Sequence, residues 1–548
     1  MSPLNTTLPR RRRSTAVALC GIFLLAVLVR LSYASHSPFT RTRFYPAELF
    51  TLASSVARGG GIGCTASSDE LQFRVQNQQK PLLRRDAPVF PIVTIPEPVV
   101  CRYYAYRLSV PYVLLAGWIF RLAGGVTAAP LMVVQLVLDS FGCLLAYLLL
   151  AGFRRSAAWA AALVYAVWPA SVYYSSANVK PDSLVPVLVL AGAVLVLLTC
   201  TRSGWRRYAY AASAGVALAL LAGIRTDNAL PVAAICILLA VLSAIDSGTR
   251  FNSNNALNPV RWARVLVLPV ILMLSLTVTL LSFHLLLRKN MKADHAALGN
   301  TLWNILAEYP GLYPGFRVWN DGFALQYSIR RNVEYRKSRD RRYIIARAIN
   351  YALGGWQPEQ DSQFPVFIKE IILDHPVRYT GWLLSRLVVY SMGHPATAYI
   401  ILEDWYGEVS KDQPAYLRLR WIDFTLFVVA VWGAWTLRKQ RVAWVLWCFY
   451  IGILLAHAVA GVGDIHYRVV GPVDSLPVPL SREQHDSFWE PRYLLGMTSV
   501  FPLFIGVAIS DVFEKLRRRK TRPSVRQAAA GGSDELPSAP SVGARQSG

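Results

Sequence analysis

Apolar residues in this chain come in unbroken blocks, not in the alternating pattern of a strand or the one-faced pattern of a surface helix. Ten blocks stand near residues 15–33, 128–150, 156–175, 182–201, 208–224, 229–245, 265–287, 419–437, 442–463 and 494–513. Runs of roughly 17–23 apolar residues are long enough to cross the hydrocarbon of a bilayer as helices. The pattern predicts an all-α polytopic membrane protein with about ten transmembrane helices. Stretches 109–124 and 381–392 are also apolar, but Arg107, Arg121 and Arg386 at or near their ends suit helices lying in the outer interface. The block at 15–33 is not followed by a convincing small-residue cleavage site and is read as retained.

Lys and Arg in the short connections set the orientation. Arg10 to Arg13, Arg154 and Arg155, Arg202, Arg206 and Arg207, then Arg250, Arg261 and Arg264 fall at alternate connections. Arg438, Lys439 and Arg441 continue the series, and Lys515 with Arg517 to Lys520 closes it. With ten crossings all of them, and both termini, lie on the cytoplasmic side; counting either interfacial stretch as a crossing would scatter them. The layout is a basic cytoplasmic N-terminus (1–14) and an N-terminal membrane module (15–287) holding outer loop 34–127. A large outer loop with an interfacial helix (288–418) and C-terminal membrane helices (419–513) follow. The cytoplasmic tail (514–548) is basic at first, then Gly-, Ser-, Pro- and Ala-rich and expected to be disordered. Composition agrees: of 548 residues, 54% are hydrophobic and 16% charged, and the mean hydropathy is +0.34, too apolar for a soluble chain of this size.

The net charge of +25 would suit nucleic acid. Much of the excess lies in the cytoplasmic flanks, where membrane anchoring puts it, so no nucleic-acid partner is expected. The acids distribute the other way. Of 32 Asp and Glu, 25 fall in the outer loops 34–127, 176–183, 225–228, 288–418 and 464–493. Carboxylate chemistry therefore belongs on the outer face. Basic residues in the same loops suit either a phosphate-bearing lipid substrate or ordinary headgroups. Five of seven cysteines, Cys20, Cys143, Cys200, Cys236 and Cys448, lie in apolar blocks and read as small core hydrophobes. Cys64 and Cys101 share the first outer loop and either pair in an oxidising exterior or stay free thiols. No Cys/His spacing resembles a zinc site. His375, in Asp374-His375-Pro376, reads as the edge of a surface helix.

Between the blocks at 156–172 and 184–200 lies a polar island, Tyr173 to Leu184, with one acid, Asp182. An ionisable group at the mouth of a membrane helix is costly, so it marks a functional site by default; as a plain alternative, Pro181-Asp182 would cap the next helix. Earlier in the chain, Glu48 to Arg58 form a short amphipathic run closed by Gly59-Gly60-Gly61-Ile62-Gly63, a helix stop. A Gln-, Arg- and Pro-rich irregular stretch then runs to Pro98. Loop 288–418 holds Trp303, Trp319, Trp356, Trp382 and Trp405, which suit sugar rings or an interfacial belt equally.

The order of these parts resembles the GT-C class of membrane glycosyltransferases, especially the branch of protein O-mannosyltransferases and lipid A aminoarabinose transferases. Phe44-Tyr45-Pro46-Ala47-Glu48-Leu49 through Gly59-Gly60-Gly61 is similar to that class's acid, short helix and Gly stop. Ser109-Val110-Pro111-Tyr112 through Gly124 resembles its Pro-led interfacial helix. Gln135, Tyr147 and Phe153-Arg154-Arg155 follow, then Trp168-Pro169 with Tyr173-Tyr174-Ser175. Pro181-Asp182 matches the second acidic motif, Gly223-Ile224-Arg225-Thr226-Asp227-Asn228 the next outer turn, and Glu490-Pro491-Arg492-Tyr493 the entry to the last span. The resemblance covers 15–245 and 490–513, and the order of the motifs carries it. One departure stands out. The usual first-loop acid sits three or four residues before Glu48, where Phe44 and Tyr45 stand. Glu48 lies about one helical turn on and points the same way if that turn is helical; Asp69, Glu70 or Asp86 are substitutes.

The resemblance implies a GT-C-like bundle with interfacial helices and large outer loops. It implies inverting transfer of a sugar from a polyprenyl-phosphate donor to a glycan, lipid or protein acceptor. Glu48 or Asp182 would take the acceptor's proton. Arg492, then Arg225, would hold the donor phosphate, because a guanidinium offers paired donors matched to phosphate oxygens. Glu308, Asp321 and Tyr493 are acceptor-binding candidates. No metal or other cofactor is required, and a divalent ion is compatible. The setting is a bacterial inner membrane with the active face periplasmic or extracellular. Two other classes compete: a transporter or flippase of lipid-linked glycans, which would carry polar groups at midplane on broken helices, and a glycan ligase or polymerase. Asp139 standing almost alone within the apolar blocks weighs against the transporter.

Overall fold

The computed structural model describes residues 8–36, 47–59, 109–126, 128–176, 179–225, 228–246, 259–290, 414–460, 464–465, 488–489 and 495–521, with a few positions between 373 and 387. Its helices are α1 (Leu8–His36), α2 (Ala47–Ala57), α3 (Val110–Ala123), α4 (Ala128–Ala151), α5 (Arg155–Ala166) and α6 (Pro169–Ser176). A 3-10 turn (Pro181–Leu184) leads into α7 (Val185–Thr201), then α8 (Trp205–Ile224), α9 (Ala229–Asp246) and α10 (Pro259–Asn290). The C-terminal part holds α11 (Pro414–Leu437), α12 (Arg441–Ala460), α13 (Leu495–Thr498) and α14 (Phe501–Thr521). A two-residue antiparallel bridge joins Asp464–Ile465 to Phe488–Trp489.

The described residues of the ten apolar blocks are helical apart from breaks at 167–168 and 499–500. Among the described residues, five helices are long and apolar enough to cross a membrane: Ser14–Ser35, Ala128–Ala151, Pro181–Thr201, Trp205–Ile224 and Leu266–Leu286. Val110–Ala123, Leu230–Ile245, Trp421–Leu437 and Arg441–Ala456 are shorter apolar helices. This is the make-up of a polytopic membrane protein. Two blocks differ from their reading: 494–513 is divided between α13 and α14, with a turn at 499–500. The single span at 156–175 is two helices, α5 and α6, broken at Val167–Trp168. Pro169 has no N–H to give the Tyr165 carbonyl, and the Trp168 N–H takes that carbonyl instead at 3.2 Å.

α4 is the hub, packed against α1, α5, α6 and α7; α7 pairs with α8, α8 with α10, and α14 fills the space between α5 and α11. Helices in lipid gain little from burying apolar surface, so small residues at their crossings matter. A side chain at Gly506 would run into the Ala161 backbone, one at Gly433 into Phe504, and one at Gly452 into Pro231. Gly21 has nothing within 4 Å of that direction. Gly506→Val should therefore cost about 1–3 kcal/mol by overpacking, read as earlier thermal unfolding in detergent, while Gly21→Val leaves the midpoint in place.

The basic connections are tied together. Arg155 Nη2 donates to Thr15 Oγ1 at 3.5 Å, and Arg154 pairs with Glu514 at 3.3 Å. Arg207 Nε and Arg441 Nη1 donate to the carbonyls of Thr199 (3.2 Å) and Cys200 (3.1 Å), closing the C-terminal end of α7. Of the cysteines expected in the core, Cys143 and Cys200 are buried and Cys236 and Cys448 half-buried, but Cys20 is exposed. It shares the outward side of α1 with Val17 and Leu24, three and four residues away.

Candidate functional site

Local sequence explains the geometry around Asp182. Pro181 disfavours helical backbone at the residue before it, and Lys180 is extended (φ −137°, ψ 147°). Pro186 cannot donate to the Asp182 carbonyl four residues back, so the Val185 N–H takes that carbonyl and the first turn winds as 3-10. Ser183 Oγ and N–H both donate to the Lys180 carbonyl, at 2.6 and 3.2 Å. The N-cap positions here are Lys180 and Leu184, so Asp182 is not the cap that Pro181-Asp182 suggested. It turns instead to α8.

Arg225 Nη1 donates to Asp182 Oδ1 at 2.7 Å. The two side chains are 18% and 6% exposed, so the pair sits just inside the mouth of the bundle. Arg225 follows the last residue of α8 in extended conformation, with its N–H on the Leu221 carbonyl. Asn228 is buried and clasps that turn, donating its side chain to the Leu221 carbonyl (3.1 Å) and its N–H to the Arg225 carbonyl (3.1 Å). Lys180 is buried two residues before Asp182. Two residues nominated separately, one as a base and one as a phosphate ligand, thus meet in a single ion pair. A charge-assisted contact of this length fixes both groups for work on a third.

The short helices α2 and α3 reach the same end. α2 ends at Gly59 (φ 82°) and α3 at Gly124 (φ 69°), where the Gly124 and Gly125 N–H groups return to the carbonyls of Arg121 and Phe120 at 3.3 and 3.1 Å. α2 packs against α3. A side chain at Gly223, two residues before Arg225, would meet Pro111 at the start of α3. Glu48 lies in the first turn of α2, so that turn is helical; its side chain is outside the described residues. Arg492, Tyr493, Glu308, Asp321, Cys64, Cys101, Asp69, Glu70, Asp86 and His375 also lie outside them. α13, which begins three residues after Arg492, packs against α6 and α7. Among the described residues no three His, Cys, Asp or Glu side chains are grouped to hold a metal.

A second polar group sits deeper, around Asp139; its partners Arg30, Tyr165 and Ser171 were not among the sequence candidates. Asp139 is not alone: Arg30 Nε donates to its Oδ2 at 2.8 Å, Ser171 Oγ to the same oxygen at 2.5 Å, and Tyr165 OH to Oδ1 at 2.9 Å. Arg30 also donates to the carbonyls of Ala26 (3.1 Å) and Ala166 (2.8 Å) and to Ser171 Oγ (2.7 Å). Arg30, Asp139 and Tyr165 are fully buried. Gly142, one turn along α4, leaves room for the Tyr165 ring. The available signal was Arg30 itself, a lone cation inside an apolar block.

No family model matches the chain, and no curated protein does. Solved structures of the oligosaccharyltransferase of Archaeoglobus fulgidus match at the level of overall shape. The complex of this enzyme, AglB, with an inhibitory peptide and a dolichol-phosphate is 13% identical with a TM-score of 0.40, covering 95% of this chain and 53% of that one. The apo form gives 12%, 0.39, 95% and 53%. The form tethered to an acceptor peptide gives 13%, 0.39, 91% and 50%. The chain spans about half the length of these enzymes. Likeness of that degree assigns neither family nor activity.

Proposed function

We propose that the protein is a membrane glycosyltransferase of the GT-C type, moving a sugar from a polyprenyl-phosphate donor to an acceptor hydroxyl at the end of the bundle that holds Asp182. The observation that carries this reading is the Asp182–Arg225 ion pair at 2.7 Å, at the mouth of an apolar bundle. A carboxylate there can accept the proton of an attacking hydroxyl, and a guanidinium beside it can balance charge on a departing lipid phosphate. The sequence resemblance supplies the donor class and the inverting course. Glu48 is the second candidate base, and Arg492 the first candidate for the phosphate. We place the active face outside the membrane, with both termini in the cytoplasm, on the strength of the arginine distribution.

A flippase or transporter of lipid-linked glycans is the second reading, and the broken helix α5–α6 with charges near the middle of α4 is the feature that favours it. Against it, the side chains of the Arg30–Asp139 group are at most 3% exposed and bonded to one another. Such a group does not line a water-filled path. The test is an assay with a radiolabelled polyprenyl-phosphate sugar and a mixed acceptor fraction. Changing Glu48, Asp182 and Arg492 to Ala, singly and together, should reduce transfer by about 10²-fold or more for the residue acting as base. Undiminished transfer in the triple variant would rule out this site.

A further inference from the structure

We propose that Gln135, Asp139 and Arg30 are positioning residues: a two-point clamp that holds the short helix α6 at both ends and thereby sets the turn bearing Asp182. α6 has only eight residues, and isolated helices of that length are marginal in water without outside contacts. Its entry is irregular, because Pro169 interrupts the backbone ladder. The Ala166 carbonyl, facing the break, receives Arg30 at 2.8 Å, and Ser171 in the first turn is held between Arg30 (2.7 Å) and Asp139 (2.5 Å). At the exit, Gln135 Nε2 donates to the carbonyls of Ser175 and Tyr174 at 3.2 and 3.5 Å. Its Oε1 accepts from Tyr112 OH at 2.9 Å, which ties α3 into the same point.

Gln135 and Asp139 stand four residues apart on α4 and so share one face. One rigid helix therefore grips both ends of α6. All three clamp residues are fully buried. The 3-10 turn carrying Asp182 packs against α4, α6 and α7, so a shift of α6 is transmitted to the Asp182–Arg225 pair. The catalytic consequence rests on the reading of Asp182 given above; the clamp itself does not.

The test uses Ser176, at the last residue of α6, buried and without a side-chain hydrogen bond. Ser176→Cys is placed in the full chain, purified in detergent, and its reaction with a water-soluble maleimide is followed by peptide mass spectrometry. Native Cys200, buried at the far end of α7, reports general loosening in the same sample. Two variants release the clamp without leaving a buried charge unpaired: Gln135→Leu, and the double change Arg30→Met with Asp139→Leu. Each should speed labelling at 176 by about tenfold or more through easier local opening, with Cys200 unchanged. In the transfer assay the same variants should lose turnover by up to about 100-fold through misplacement of the base, with little change in KM. Unchanged labelling at 176, or an equal rise at 200, would overturn the clamp. Because labelling needs no substrate, a failure of the glycosyltransferase reading leaves this outcome intact, and the converse also holds.

Discussion

Replacing Asp139 by Leu while Arg30 remains should destabilise the protein by about 3–5 kcal/mol, because a fully buried guanidinium is left without its counter-charge. The double variant, Arg30→Met with Asp139→Leu, should recover part of that loss, since no buried charge is left unpaired, while the Tyr165 hydroxyl, Ser171 Oγ and the Ala166 carbonyl each lose a partner. Arg30→Met alone should be intermediate: Asp139 keeps its donors from Ser171 and Tyr165 at 2.5 and 2.9 Å. The measurement is thermal unfolding of the four proteins in one detergent, treated as a double-mutant cycle. Single changes that simply add would mean that the 2.8 Å contact carries no coupling. The order of the two single variants is informative too. A cation stripped of its carboxylate retains only the Ala26 and Ala166 carbonyls and Ser171 Oγ as acceptors, and dipoles balance a full charge less well than an anion does.

The contrast between the two ion pairs shows what a sequence displays and what it hides. The apolar blocks are legible because run length is a local property, and their described residues are helical apart from the breaks at 167–168 and 499–500. The Gly stops at 59 and 124 are legible for the same reason. Asp182 and Arg225 were nominated for separate roles, yet their contact follows from hairpin arithmetic. Pro181–Thr201 is 21 residues and Trp205–Ile224 is 20, so the short turn between them brings the start of one opposite the end of the other. The Arg30–Asp139 pair had no such route. Its partners lie 109 residues apart on helices whose mutual rotation is set by packing, and the helix break that admits Ala166 and Ser171 was read through as one span. Pro169 signalled that break. Nothing local signalled which carbonyl would need a donor.

Exchanging the charges of the Asp182–Arg225 pair should separate its structural part from its chemical part. Asp182→Asn should lower transfer by about 10²–10⁴-fold if the carboxylate is the base, with only a modest loss of stability, because Asn still accepts a hydrogen bond from Arg225. Arg225→Met leaves Asp182 just inside the mouth without its cation. The expected result is a fall in both stability and transfer, with the donor's KM rising if the guanidinium also meets the phosphate. The decisive variant carries Asp182→Arg and Arg225→Asp together. Both side chains lie near the mouth, at 6% and 18% exposure, so the reversed pair can re-form and should restore most of the unfolding midpoint lost by either single reversal. Transfer should not return with it. The reversed pair presents its carboxylate from the end of α8 rather than the start of α7, and a displacement of even about 1 Å at the reacting centre can cost about 100-fold. Recovery of stability and turnover together would make the pair a brace between two helices. Recovery of stability alone assigns the chemistry to Asp182 in its present place, on a turn wound as 3-10 because Pro186 withholds one hydrogen bond.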